Sequence, residues 1–139
     1  MPARTATAHW SGNLTEGKGH LKVQSGTLDA AYDFRARAGD GKGTNPEELI
    51  AAAHAGCFIM QLSAILAAAG FTAESLDCTG RVHLAQQGGG FVIPTIELEL
   101  KGNVPGLDAA GFRTHAETAK ASCPVSKALA GPEIKLTIL

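Results

Sequence analysis

Between Leu49 and Ala69 only His54, Gln61 and Ser63 are polar, and this run constrains the fold more than any other part of the chain. Its start is well marked: Asn45 suits the N-cap, Pro46 the first helical position, and Glu48 stands three residues past the cap as a capping-box partner. Gly70 stops the helix near Ala69. A helix that is apolar on every side belongs either in a core or in a membrane, and the run reaches the length of about 20 residues that a span needs. Much of it is alanine, however, which adds little hydrophobicity, and neither end carries an aromatic belt or a Lys/Arg asymmetry. The core reading is therefore preferred. One sheet covers only one side of such a helix, so a chain of 139 residues needs a second copy to cover the other. An obligate homodimer is the expectation.

Short strands surround this helix. Thr5 to Trp10, Gly19 to Gln24 and Leu28 to Phe34 are β-like runs separated by glycine-containing breaks, which predicts a three-strand meander. The glycine-rich stretch from Gly39 to Thr44 reads as a loop with room to move. After the helix, Ser75 to Gln86 and Phe91 to Leu100 alternate apolar and polar residues on either side of Gly88-Gly89-Gly90, the pattern of a β-hairpin. A second helical run from Leu107 to about Ala121, a short helix opening at Cys123-Pro124 and a strand from Ile134 to Leu139 complete a βββ-α-ββ-α-β order. The expected fold class is α+β with antiparallel or mixed sheets, in a single domain spanning residues 1–139.

The net charge is -1, and basic residues form no cluster beyond isolated pairs, so neither nucleic acid nor an anionic membrane surface is an expected partner. The N-terminal segment lacks the continuous apolar run of a secretory signal, and a cytoplasmic location is expected. In a reducing compartment three cysteines are catalytic, metal-binding or inert rather than a disulfide framework. Cys78, mid-strand on the apolar face with Leu76 and Val82, reads as core.

Cys57 and Cys123 are different. Cysteine in an apolar helix is often just a small buried hydrophobe, but Glu47, Ile50, His54, Cys57 and Gln61 follow a 3,4,3,4 spacing that gathers nearly all the polar groups of the helix on one stripe. A polar stripe on a buried helix suggests a site. His54, three residues before Cys57, is placed to hydrogen-bond the thiol or to help bind a metal. A structural zinc site wants four ligands, and only Cys123 is an obvious third, so that reading is the weaker one. Cys123 precedes Pro124 at a helix start, where unpaired N–H groups favour a thiolate. Cys57 lies too far into its helix to feel the dipole and needs an external cation, for which Arg35 and Arg37 are the candidates.

Three segments together, Gly43-Thr44-Asn45-Pro46-Glu47-Glu48-Leu49, Ala53-His54-Ala55-Gly56-Cys57-Phe58 and Cys123-Pro124-Val125-Ser126, resemble the osmotically induced protein C and organic hydroperoxide resistance (OsmC/Ohr) family of thiol peroxidases. The resemblance extends over nearly the whole chain, from His9-Trp10-Ser11-Gly12 to the Val104-Pro105-Gly106 turn, and the Glu-Glu-Leu and Ala-His-Ala forms look like the osmotically induced branch. It implies an intertwined α+β homodimer with two active sites at the subunit interface. It implies Cys57 as the peroxidatic thiol and Cys123 as the resolving one, with Glu47 and Arg37, or Arg35 in its place, completing the site. Glu47 and Cys57 are ten residues apart on one helix, about 15 Å at 1.5 Å per residue, so Glu47 reaches Cys57 only across a dimer.

On this resemblance a hydroperoxide oxidises Cys57 to a sulfenic acid, Cys123 condenses with it to a disulfide, and an external dithiol resets the cycle. Phe58, Ile59, Met60 and Leu62 suggest apolar surroundings suited to an alkyl hydroperoxide. No cofactor is expected: the chain has neither a phosphate-binding glycine motif nor a specific metal-ligand cluster. The competing reading is a dimer that senses redox state or binds a small molecule without turnover.

Overall fold

The computed structural model describes residues 2–139 and has the α+β class expected. In chain order the elements are β1 Ala6–Ser11, β2 Lys18–Val23, β3 Asp29–Tyr32, α1 Phe34–Ala38, α2 Pro46–Ala68, β4 Ser75–Val82, β5 Ala85–Gln87, β6 Gly90–Val92, β7 Thr95–Asn103, α3 Ala109–Ser122, α4 Pro124–Ala128 and β8 Glu133–Ile138. They form two compact units, one reaching to Leu49 and the other Ile50–Leu139, so the first turn of α2 belongs to one and its remainder to the other.

The first unit is an antiparallel meander in the order β1-β2-β3. Gly19 lies opposite both Trp10 and Tyr32, whose rings pack with centroids 5.5 Å apart, and a side chain at Gly19 would run into both rings. The third strand ends at Tyr32 rather than Phe34, because Asp33 caps a helical turn instead: its carboxylate accepts from the Ala36 N–H at 2.8 Å. The glycine-rich stretch is not free at its far end. Thr44 donates its N–H to Ala31 O at 3.2 Å, and Gly43 adopts a φ of 110° where a side chain would strike the Ala31 carbonyl. Asn45 caps α2 as expected, accepting from the Glu48 N–H at 2.8 Å, and its amide also donates to Ala36 O at 3.0 Å, tying α1 to the start of α2.

The second unit is built on a mixed sheet in the order β4-β7-β8, antiparallel between β4 and β7 and parallel between β7 and β8. The predicted hairpin is present but divided: Val82 pairs with Ile96, and beyond Pro94, which has no N–H to give, β5 and β6 form a separate small ladder. Along β7, Ile96, Leu98 and Leu100 are fully buried, whereas Glu97 and Glu99 face the other way and meet His83 at 2.6 Å and Arg81 at 3.1 Å. Phe58, Leu62 and Leu66 of α2 and Phe112, Ala116 and Ala119 of α3 pack onto the buried face of the sheet. Each fully buried Phe or Leu contributes about 1.5–3 kcal/mol.

α2 is buried within the chain on one face only, the one packed on the sheet. Within one chain 22% of the apolar stretch of α2 is buried, while Ala52, Ala53, Met60, Ala64 and Ala67 are exposed, Met60 to 75%.

Candidate active site

Cys57 projects from the middle of α2, and Cys123 stands where α3 ends and α4 begins, with Pro124 opening the second helix. Their sulfurs lie 2.8 Å apart and share a hydrogen bond. Both are free thiols, Cys57 partly accessible and Cys123 fully buried. A covalent S–S separation is about 2.05 Å, so a disulfide needs only a small closure from here.

The polar stripe predicted on α2 explains how this approach is held. His54 Nε2 lies 2.7 Å from Ser126 Oγ, and Gln61 Nε2 donates to Ser122 Oγ at 3.1 Å, so the polar residues on either side of Cys57 both bond to the segment that carries Cys123. The three contacts run in reverse order along the two segments, with the sulfur pair in the middle. His54 therefore does not serve Cys57, as its spacing suggested; its ring is fully buried and turned to Ser126, and burial lowers its pKa. This also takes His54 away from the suggested zinc site: among the described residues no three His, Cys, Asp or Glu side chains are grouped to hold a metal ion.

Burial pushes both thiols toward the protonated form, but their neighbours then separate them. At Cys123 burial is outweighed by hydrogen bonds from Cys57, from the Ser126 N–H and hydroxyl and from the Val125 N–H, and its pKa falls. At Cys57 burial is reinforced by the hydrogen bond with Cys123, against an opposing one from Val125, and its pKa rises. Cys123 is the more acidic thiol within one chain. Cys78 is partly buried in its strand and pushed up to about 11, chiefly by that burial, in keeping with a packing role.

In the first unit Glu47 pairs with Arg37. The guanidinium places Nε 3.0 Å and Nη2 2.9 Å from the same carboxylate oxygen, Oε1, while Glu47 Oε2 is buried without a partner. Arg35 instead lies 3.7 Å from Asp40 with its side chain 74% exposed. Beside Arg37 a pocket of about 280 Å³ is lined by Trp10, Leu14, Tyr32 and Phe34. The sequence does not single out these aromatic walls; of the residues it offers as apolar surroundings, Phe58 and Leu62 are fully buried in the core, Ile59 is half-buried and Met60 is exposed. Ser122 and Ser126 were also missed as participants. The available signal was the position of Ser126, one helical turn beyond a cysteine that opens a helix.

The chain as a whole resembles known proteins. Residues 39–138 match the family model described as OsmC-like protein. The chain is 49% identical over 123 residues to the Peroxiredoxin OsmC of Escherichia coli (strain K12), covering 88% of this chain and 86% of that protein. It is 37% identical over 139 residues to an organic hydroperoxide resistance protein of Xanthomonas axonopodis pv. citri (strain 306), covering 95% and 93% of the two chains. The solved structure of the organic hydroperoxide resistance protein OhrB of Bacillus subtilis superposes with a TM-score of 0.77 at 29% identity, covering 97% of this chain and 98% of that one.

Proposed function

The chain belongs to the OsmC family, and on that premise we propose that it is a thiol peroxidase that reduces hydroperoxides through Cys57 and Cys123. The observation that carries this reading is the 2.8 Å approach of two free thiols, one accessible and one buried. Cys57 is the attacking thiol because it is the one a substrate can reach. As thiolate it attacks the distal oxygen of the hydroperoxide; the O–O bond breaks, and the departing oxygen takes up a proton to leave as alcohol, or as water from hydrogen peroxide. Cys123 then attacks the Cys57 sulfenic acid, the S–S bond forms as the S–O bond breaks, and water is released. An external dithiol reduces the disulfide by thiol–disulfide exchange.

The activating groups are Arg37 and Glu47 of the partner subunit. Cys57 is held protonated by its own surroundings and needs a cation. Glu47 of the same chain stands ten residues away on an unbroken helix, about 15 Å along its axis. The exposed alanine-rich face of α2 gives a second copy an apolar surface to cover. In the dimer the Arg37 guanidinium, oriented by Glu47, holds the Cys57 thiolate and stabilises charge on the departing oxygen. The aromatic pocket beside Arg37 favours organic hydroperoxides over hydrogen peroxide.

Stopped-flow consumption of cumene hydroperoxide by the reduced protein tests the reading. Wild type should turn over and Cys57→Ser should not; no consumption by wild type leaves a sensing or binding dimer instead. Light scattering that finds a stable folded monomer at micromolar concentration would remove the basis for a shared site.

A further inference from the structure

His54 is a costly residue for its position. It is fully buried on a helix whose neighbouring buried positions are Phe58, Leu62 and Leu66, and its Nδ1 has no hydrogen-bond partner. Its one bond is to Ser126, and Ser126 in turn touches Cys123. Burial keeps the ring neutral, so it carries a single proton, on Nδ1 or Nε2. A proton on Nδ1 strands a buried N–H donor, which folded proteins avoid more strictly than an unpaired acceptor. It also makes Nε2 an acceptor and draws the Ser126 hydroxyl hydrogen away from Cys123. With the proton on Nε2 the ring donates to Ser126 Oγ, and the serine hydrogen is free to point at the sulfur. The second arrangement satisfies more groups.

We propose that His54 is a positioning residue for disulfide formation: by donating from Nε2 to Ser126 Oγ, it fixes the serine hydroxyl as a donor to the Cys123 sulfur, so that Cys123 attacks as a thiolate. The proposal deepens the thiol peroxidase reading and rests on it. Three donors then converge on the buried sulfur, namely the Ser126 hydroxyl and the N–H groups of Ser126 and Val125. The step balances: Cys123 gives up its proton on ionising, its sulfur electron pair forms the S–S bond, the Cys57 S–O bond breaks, and the leaving hydroxide regains a proton as water. On α2 the titratable groups facing Cys123 are Cys57, in direct contact, and His54, through Ser126. On α3 and α4 the charged residues within a turn of Cys123 are Lys120, paired with Glu117 at 3.3 Å, and the exposed Lys127.

The test is single-turnover oxidation of the reduced dimer by cumene hydroperoxide, quenched in time and resolved by mass spectrometry into sulfenic acid and disulfide. Loss of one charge-assisted donor in Ser126→Ala, or of its orientation in His54→Met, should slow disulfide formation about tenfold at neutral pH and raise the pH midpoint of that step by about one unit. The slowing falls on disulfide formation rather than on sulfenic acid formation. Ser126→Thr and His54→Gln, which keep a donor, should recover most of the rate, and Ser126→Ala with His54→Met should be no slower than Ser126→Ala alone. Wild-type rate and midpoint in both Ser126→Ala and His54→Met would overturn the proposal. Nitrogen-15 NMR of the wild-type ring tests it without substitution: a proton on Nε2 is expected, and one on Nδ1 overturns it. If wild type forms no sulfenic acid, the peroxidase reading fails instead. The pH midpoint of Cys123 ionisation, read by ultraviolet thiolate absorbance in a Cys57→Ser background, then still tests the relay, with a higher value expected in Ser126→Ala than with Ser126 intact and an equal value overturning it.

Discussion

Mixing a variant that lacks the nucleophile with one that lacks the carboxylate should restore about a quarter of the wild-type activity. Glu47 and Cys57 lie ten residues apart on α2, which runs unbroken from Pro46 to Ala68, and at 1.5 Å per residue that is about 15 Å. A hydrogen-bonding contact spans about 3 Å. A catalytic unit containing both therefore draws Cys57 from one chain and Glu47 from another. In Cys57→Ser every site lacks its nucleophile. In Glu47→Ala every Cys57 meets an Arg37 without its carboxylate, and loss of that charge-assisted bond, about 1.5–3 kcal/mol, should lower kcat/KM about ten- to a hundredfold. Unfolding the two together in equal amounts and refolding gives about half heterodimers by random pairing. In each heterodimer one site joins the intact Cys57 of one chain to the intact Glu47 of the other, and the second site carries both lesions. One good site in two, in half of the dimers, is about a quarter of the wild-type rate per subunit. Native mass spectrometry establishes the heterodimer fraction, and hydroperoxide consumption reads the activity. Heterodimers in the expected proportion with activity no higher than the average of the two parents would refute the shared site.

Three other outcomes follow from the same structure. A methyl group added at Gly80 stands 2.9 Å from the Ala51 carbonyl oxygen of α2, too close to a backbone atom to be relieved by a rotamer; Gly80→Ala should cost about 1–3 kcal/mol in urea unfolding, and an unchanged midpoint would show that strand and helix part freely. Because burial holds His54 below its ordinary value of 6.5, the unfolded chain takes up a proton there that the folded chain refuses. That stability is complete above about pH 6.5 and is lost as pH falls toward the folded pKa, so the acid-side slope of urea stability should be shallower in His54→Gln, and an equal slope would argue against it. Burial raises Cys57 first and the contact with Cys123 adds to it, so Cys123→Ala should lower the pH midpoint of Cys57 alkylation without removing the effect of burial; a midpoint that rises would mean the neighbour had been favouring the thiolate.

Some of this was legible in sequence because it rests on local rules. α2 announced itself by Asn45, Pro46 and Glu48 at its start and by an apolar run that no short strand can carry. The stripe of His54, Cys57 and Gln61 pointed to a site because side chains three and four apart share a helix face. The partners of that stripe were not legible. Ser122 and Ser126 lie 61 and 72 residues from the residues they bond, and spacing within one helix says nothing about what packs against it. α1 escaped notice because five residues ending in a glycine-rich stretch carry no periodicity, and its formation turns on one carboxylate, Asp33, accepting one N–H. The hairpin was visible by alternation, but its division at Pro94 depends on a missing donor that alternation does not register.

The opposed thiol environments bear directly on how the site works. A nucleophile that meets substrate has to be accessible, and accessibility leaves Cys57 with little from its own chain to favour the thiolate. A thiol that only meets a sulfenic acid on the neighbouring residue can be buried and supplied with fixed donors, as Cys123 is. No Lys or Arg stands on α2, and the residues one turn from Cys57 on that helix are Ala53, His54, Met60 and Gln61. On the proposed shared site the guanidinium comes instead from Arg37 of a second chain, held by Glu47 with its side chain 34% exposed. On that proposal the apolar face of α2 and the missing cation at Cys57 are two aspects of one requirement, since one second copy would cover the surface and supply the charge.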